Sequence, residues 1–92
     1  MIRYDCGGAR LTVRGHAGYG EHGKDIVCAA ASALVYALAG RLRETGRLEG
    51  FRSGPGYAEV TGAGDCEREF DLVRCGLELL AARYPRCVRK GS

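Results

Sequence analysis

Two segments near the start of the chain alternate between apolar and polar side chains, which is typical of half-buried β-strands. They span residues 2–6 and 10–14, and Gly7-Gly8 lies between them as a turn signal. The pattern predicts a β-hairpin with Leu11 and Val13 facing the core.

The hydrophobic period becomes helical after residue 25. Apolar residues then recur at steps of three and four, which predicts an amphipathic helix running to about Thr45, with Gly46 as its C-terminal stop. Asp25 suits the N-cap position, because its carboxylate can accept free N–H groups of the first turn. The apolar stripe consists of Val27, Ala30, Ala31, Leu34, Val35, Leu38 and Leu42.

The second half repeats this arrangement of a hairpin followed by a helix. Residues 51–54 and 57–61 flank Pro55-Gly56 and predict a second hairpin. Asp65 is the predicted N-cap of a second amphipathic helix that ends at Pro85, and residues 87–89 predict a short last strand. The apolar stripe of the second helix is Phe70, Val73, Leu77, Leu80 and Tyr84.

These elements predict one α+β domain over residues 1–92, in the order ββαββα(β). The expected architecture has two layers, with a mixed or antiparallel sheet carrying both amphipathic helices on one face. The composition, 46% hydrophobic and 27% charged, is that of a folded domain. No apolar run approaches the roughly 20 residues of a membrane span, and the N-terminus lacks a hydrophobic signal region, so we expect a cytoplasmic protein.

The charge and the cysteines exclude several functional classes. The net charge is +3 and the basic residues are dispersed along the chain, so direct nucleic-acid binding is not required. The five cysteines show no zinc-ligand spacing, and a disulfide framework would need an oxidising compartment. We therefore expect no metal and no cofactor. Ordinary structural thiols are expected at Cys6, Cys66, Cys75 and Cys87.

The fifth cysteine is different because Cys28 is the third residue of the predicted first helix. Backbone N–H groups and the helix dipole favour an anion there, which promotes the nucleophilic thiolate. His16 follows the second strand, and a glycine-rich loop with Gly18, Gly20 and Gly23 separates it from the helix. Strand and helix packed side by side would form a Cys–His pair, with helix N–H groups holding an oxyanion. Spacing alone equally allows a packed cysteine and a surface histidine.

A sequence motif supports the interpretation of Cys28 and His16 as a Cys–His pair. Residues 15–17 read G-H-A, and residues 23–32 read G-K-D-I-V-C-A-A-A-S. This pattern, G-H-A followed by G-x-D-I-V-C-A-x-x-S, resembles the signature of the ribosomal-processing cysteine protease family, Prp. The resemblance implies that Cys28 is the nucleophile and His16 the general base.

The resemblance also implies a substrate and an assembly. Members of that family are bacterial homodimers that remove an N-terminal extension from a large-subunit ribosomal protein. They cut after a pair of aromatic residues, and the glycine-rich loop moves aside as a lid to admit the peptide. Asp25 and Ser32 occupy motif positions as well. Either could contact the substrate, or serve only as a helix cap and as a small packing residue.

The sequence leaves open the roles of two loop residues and two alternative functions. We expect His22 to be an exposed loop residue, and Tyr19 could line a cleft for aromatic side chains. A non-catalytic ribosome-assembly module and a thiol redox protein are the alternatives to a protease.

Overall fold

The computed structural model describes residues 1–21 and 23–91, so the expectation for His22 lies outside the described residues. The described part has seven elements in the order ββαββαβ, which confirms the predicted α+β class. They are β1 (Ile2–Gly7), β2 (Arg10–Arg14), α1 (Ile26–Glu44), β3 (Leu48–Gly54), β4 (Tyr57–Gly62), α2 (Glu67–Arg83) and β5 (Val88–Lys90).

The five strands form one mixed sheet in the order β3-β4-β2-β1-β5. β5 runs parallel to β1, and the other three strand pairs are antiparallel. β3 begins at Leu48, three residues before the predicted start. Its pairing with β4 is irregular between Leu48 and Gly50. Because this irregularity interrupts the alternation of apolar and polar residues, the sequence pattern did not reveal the first residues of β3.

The pairing register places the apolar side chains of the sheet on one face. Tyr4 is opposite Val13, and Leu11 is opposite Val60, so these residues point the same way. Both helices pack against this face and against each other, as predicted. The buried core includes Ile2, Tyr4, Leu11, Val13, Val27, Leu38, Leu42, Val60, Phe70, Leu77 and Val88.

The ends of α1 agree with the sequence prediction. Asp25 is the N-cap and accepts hydrogen bonds from the backbone N–H groups of Val27 and Cys28. The helix ends at Glu44 with Thr45 as its cap, and Gly46 follows with a φ of 70°. Glycine adopts that left-handed conformation without the steric cost that a Cβ brings.

The predicted N-cap of α2 is wrong. Cys66, not Asp65, is the capping residue, and no side chain makes a capping hydrogen bond. The Cys66 side chain is buried in the core, and its Sγ donates a hydrogen bond to the Gly64 carbonyl oxygen at 3.7 Å. Packing of this apolar residue, rather than a carboxylate cap, therefore decides where α2 begins.

α1 departs from the expectation that no segment of the chain resembles a membrane span. By length and composition alone it could cross a membrane. The core of a soluble protein also contains such helices, and the buried residues of α1 all belong to the core. The core accounts for part of the apolar character of this helix, since Ile26 and Tyr36 are exposed.

Candidate active site

Cys28 and His16 line the same cavity. Cys28 lies half-buried in the first turn of α1, and His16 is exposed two residues after β2 ends. The cavity has a volume of about 430 Å³. Its lining brings together all seven predicted site residues, with Ala29 as an eighth: His16, Gly18, Gly20, Gly23, Asp25, Cys28, Ala29 and Ser32.

The Cys28 sulfur receives a hydrogen bond from the loop. The Ala17 backbone N–H donates to Sγ at 3.2 Å. Ala17 is itself buried in the core, with 3% of its surface exposed, so its backbone is fixed relative to α1. A backbone donor at this distance stabilises negative charge on the sulfur.

The position of His16 depends on the turn between β3 and β4. The Gly15 N–H donates to the Gly56 carbonyl oxygen at 2.8 Å. A Cβ on Gly56 would lie 2.9 Å from His16 Nε2, so the imidazole rests directly against this glycine. Gly15 has a φ of 93°, and a Cβ there would overlap the Met1 carbonyl oxygen. The first glycine of the motif is therefore required by close packing of the backbone.

Asp25 holds both the start of the helix and the loop. Its Oδ1 accepts from Val27 N–H at 2.9 Å and from Cys28 N–H at 3.0 Å. Its Oδ2 accepts from Tyr19 N–H at 2.8 Å and from Gly20 N–H at 3.2 Å. Burial acts to raise the pKa of this carboxyl, but the four backbone donors outweigh burial and hold the pKa below its ordinary value.

These contacts change the expectation about an oxyanion hole. The sequence predicted both that Asp25 would cap the helix and that N–H groups at the helix start would hold an oxyanion, and the N–H groups of Val27 and Cys28 serve the cap. The capping carboxylate occupies the donors that the helix would otherwise offer to an anion. In this conformation, the backbone donor that points at the reactive sulfur belongs to Ala17.

The glycine-rich loop makes a second contact, with the C-terminal end of α2. The ring of Tyr19 packs edge-on against that of Tyr84, the C-cap of α2, with centroids 5.2 Å apart. Tyr19 is therefore engaged with α2, whereas the sequence suggested it for the cleft. Gly18 and Gly23 have φ values of 70° and 84° and supply the left-handed turns of the loop.

A second cavity, of about 310 Å³, opens on the other side of the Cys28–His16 pair. Ser32, one turn after Cys28, lines both cavities. Tyr36, one turn further, lines the second cavity and packs edge-on against Phe51 with centroids 5.8 Å apart. The rest of the wall includes Val13, Val35, Pro55, Tyr57 and Ala58.

Sequence reasoning missed Tyr36, Pro55, Tyr57 and Gly56 as site residues. Pro55-Gly56 signals a turn, but no local pattern shows that this turn packs beside α1. The helical spacing of Cys28 and Tyr36, two turns apart on one face, is the signal that was available.

The remaining thiols lie away from this site, and all five cysteines are free. Burial raises the pKa of the Cys6 and Cys66 thiols, which keeps them protonated at neutral pH. Cys75 is exposed on α2. Among residues 1–21 and 23–91, no cluster of three or more histidine, cysteine or acidic side chains could hold a metal ion.

Comparison with known proteins identifies solved structures with the same fold. Solved structures of the ribosomal processing protease Prp from S. aureus share the fold. The complex with a covalently linked product peptide is 22% identical with a TM-score of 0.81, covering 99% of this chain and 98% of that chain. The complex with a substrate peptide is 17% identical with a TM-score of 0.76, covering 98% and 95%.

A third solved structure, SMU.848 from Streptococcus mutans, is 29% identical with a TM-score of 0.66, covering 89% of this chain and 80% of that chain. No curated protein sequence matches this chain. The sequence profile of the family described as cysteine protease Prp matches residues 2–89. This chain therefore belongs to the cysteine protease Prp family.

Proposed function

We propose that this protease removes the N-terminal extension of a large-subunit ribosomal protein, with Cys28 as nucleophile and His16 as general acid and base. The observation that carries the proposal is that these two side chains line one cavity at the start of α1, beneath a glycine-rich loop. A nucleophile and a base on one cavity wall form the basic unit of thiol acyl transfer.

The chemistry proceeds in two steps. The Cys28 thiolate forms a bond to the scissile carbonyl carbon, and the carbonyl electron pair moves onto oxygen. Protonated His16 gives its proton to the amide nitrogen as the C–N bond breaks, which leaves a thioester on Cys28. Water then attacks the thioester while His16 takes its proton, and the C–S bond breaks to release the new carboxyl end.

Electrostatic stabilisation of the oxyanion needs N–H donors near the sulfur. Asp25 occupies those of Val27 and Cys28, which supports the Ala17 N–H as one donor for the tetrahedral intermediate. Asp25 would support the reaction indirectly, because it fixes the backbone on both sides of Cys28. Ser32 is exposed one turn after Cys28 and lines the same cavity, which supports a contact of its hydroxyl with the peptide backbone.

The second cavity supports cleavage after aromatic residues. Its wall is largely apolar and includes Tyr36, Pro55 and Tyr57 beside His16 and Cys28. Aromatic side chains bury about 150–250 Å² each and favour edge-to-face contacts with other rings. A peptide whose aromatic side chain enters this cavity would present its following bond to Cys28.

The glycine-rich loop has to move before a peptide can be cleaved. Gly18, Gly20 and Gly23 allow the loop to open as a lid once the Asp25 and Tyr84 contacts to Tyr19 break. The bound extension would replace those contacts.

We also propose that the protein acts as a homodimer in the bacterial cytoplasm. Leu72 and Leu79, seven residues apart on α2, are 73% and 67% exposed, and large apolar side chains in this arrangement favour a partner.

The test uses a synthetic peptide that spans the junction of the extension and the mature ribosomal protein. Wild-type protein should cut it once, after an aromatic residue, as read by mass spectrometry. Cys28→Ala should abolish cleavage, and His16→Ala should reduce kcat/KM by about 100-fold or more. Cys87→Ala, which removes a half-buried thiol that lines neither cavity, is the matched control and should cleave normally.

Cleavage by the Cys28→Ala protein would show that the assignment is wrong. Tight binding of the peptide by the wild-type protein without any cleavage would instead support the non-catalytic module.

A further inference from the structure

The face of the sheet opposite the helices collects basic residues that the sequence disperses. The strand register places five arginines and two carboxylates on this open face. The difference, five minus two, is +3, which equals the net charge of the whole chain. The seven residues are Arg3, Asp5, Arg10, Arg14, Arg52, Glu59 and Arg89.

Three of the arginines form a row across neighbouring strands. Arg3 on β1 is the direct partner of Arg14 on β2 and of Arg89 on β5. Because strands lie about 4.8 Å apart, the three Cα atoms fall within about 10 Å. Like charges directly opposite each other destabilise a sheet. None of the three makes an ion pair with a residue that the structure describes.

The other charges of the open face are largely balanced. Glu59 pairs with Arg10 and, at 4.0 Å, with Arg52. The Arg10 guanidinium holds the pKa of the Glu59 carboxyl below its ordinary value, so Glu59 stays ionised between the two arginines. Asp5 lies two residues from Arg3 on the same face of β1 and lines a cavity together with Arg10 and Arg14. The row of Arg14, Arg3 and Arg89 therefore keeps a net positive charge, of which Asp5 offsets a part.

This arginine row lies at the end of the sheet that carries the active site. Arg14 is two residues before His16, and its guanidinium lies 6.0 Å from the ring centroid of Tyr57. Tyr57 follows Gly56, the residue against which His16 rests, and it also lines the second cavity. An anion on the arginine row would be bound beside a peptide in the active site.

We propose that the arginine row binds the phosphate backbone of RNA. Guanidinium groups pair with phosphate oxygens in a bidentate manner, and a flat sheet with an adjacent aromatic ring suits an RNA strand whose bases can stack. The proposal rests on the proposed function in one respect, because the substrate proposed there is a ribosomal protein, and ribosomal proteins assemble with RNA. An acidic peptide would match the charge but would make no use of a stacking ring.

The experiment measures anisotropy of a fluorescein-labelled single-stranded RNA of about 16 nucleotides. Three phosphate contacts predict a slope of about −2 in log K against log salt. Binding should therefore weaken about 20-fold between about 50 and 200 mM salt.

The diagnostic variant is the double substitution Arg3→Gln/Arg89→Gln. Its matched control is Arg68→Gln/Arg83→Gln, which removes the same charge from exposed positions of α2. The first variant should lose at least about tenfold in affinity, and its salt slope should shrink by about 1.4. The control should stay within about twofold of wild type.

Three results would contradict the proposal that the arginine row binds RNA. They are no binding by the wild-type protein at low salt, equal losses in the two variants, and displacement of the RNA by poly-L-glutamate as readily as by unlabelled RNA. Cleavage of the junction peptide, measured in parallel, keeps the two proposals apart. Normal cleavage without RNA binding contradicts only the proposed RNA surface. Suppose instead that the wild type binds RNA, that Arg3→Gln/Arg89→Gln does not, and that the wild type fails to cut the junction peptide. This result contradicts only the proposed cleavage of that substrate.

Discussion

Substitution of Gly56 by alanine tests whether the position of His16 matters for catalysis. Gly56 has a φ of 68°, and the added Cβ would lie 2.9 Å from His16 Nε2 and 3.4 Å from two ring carbons. Since comfortable contacts are about 3.5 Å or more, the imidazole has to move by roughly 0.5–1 Å. A displacement of this size at a reacting group costs up to about 100-fold in rate.

The same substitution also strains the backbone. A left-handed conformation costs an L-residue about 1–2 kcal/mol. For a domain of this size, each kcal/mol lowers Tm by about 4–8 °C. Gly56→Ala should therefore fold with a Tm about 4–16 °C lower than wild type, while kcat/KM falls by about 10–100-fold, mainly through kcat.

Gly46→Ala is the matched control for this strain. Gly46 has a φ of 70°, and an added Cβ there would have no neighbour within 4 Å. It lies at the far end of α1, so its alanine variant should show a similar loss of Tm with unchanged kcat/KM. The assay combines calorimetry with steady-state cleavage of the junction peptide. If Gly56→Ala were as destabilised as Gly46→Ala but cleaved like wild type, the claim that catalysis depends on the position in which Gly56 holds His16 would be refuted.

Three further predictions concern stability and thiol reactivity. The pKa of Asp25 is lowered on folding, so its carboxylate stabilises the fold fully above about pH 4 and less as the pH falls through the folded-state pKa. The difference in urea stability between wild type and Asp25→Asn should shrink on acidification; a gap independent of pH would contradict this. Leu42 is 0% exposed, so Leu42→Ala should cost about 2–5 kcal/mol by denaturant titration, and a loss below about 1 kcal/mol would show that the core is looser than described. Iodoacetamide should reach Cys66, which is 1% exposed with a raised pKa, only after unfolding; equal rates of Cys66 modification in the native and unfolded protein, read by peptide mapping, would contradict its burial.

The hydrophobic pattern alone determined the order of the elements and the start and end of α1. The reason is that helical and strand periods, and caps such as Asp25 and Gly46, depend on residues within about one turn of each other. The motif around Cys28 and His16 also identified both side chains that the structure brings to one cavity. Local signals predicted the wrong residue where tertiary packing sets the start of an element. At the start of α2, buried Cys66 is the capping residue instead of the expected Asp65.

Only the tertiary structure decided what surrounds these two residues. The contact of Gly56 with His16 joins positions 40 residues apart, and the row of Arg14, Arg3 and Arg89 joins three strands, β2, β1 and β5. Such contacts follow from strand pairing and from the burial of a shared core, which no short window of sequence contains. The sequence therefore determined which groups are available for chemistry, and the packing of the sheet against the helices decided which of them meet.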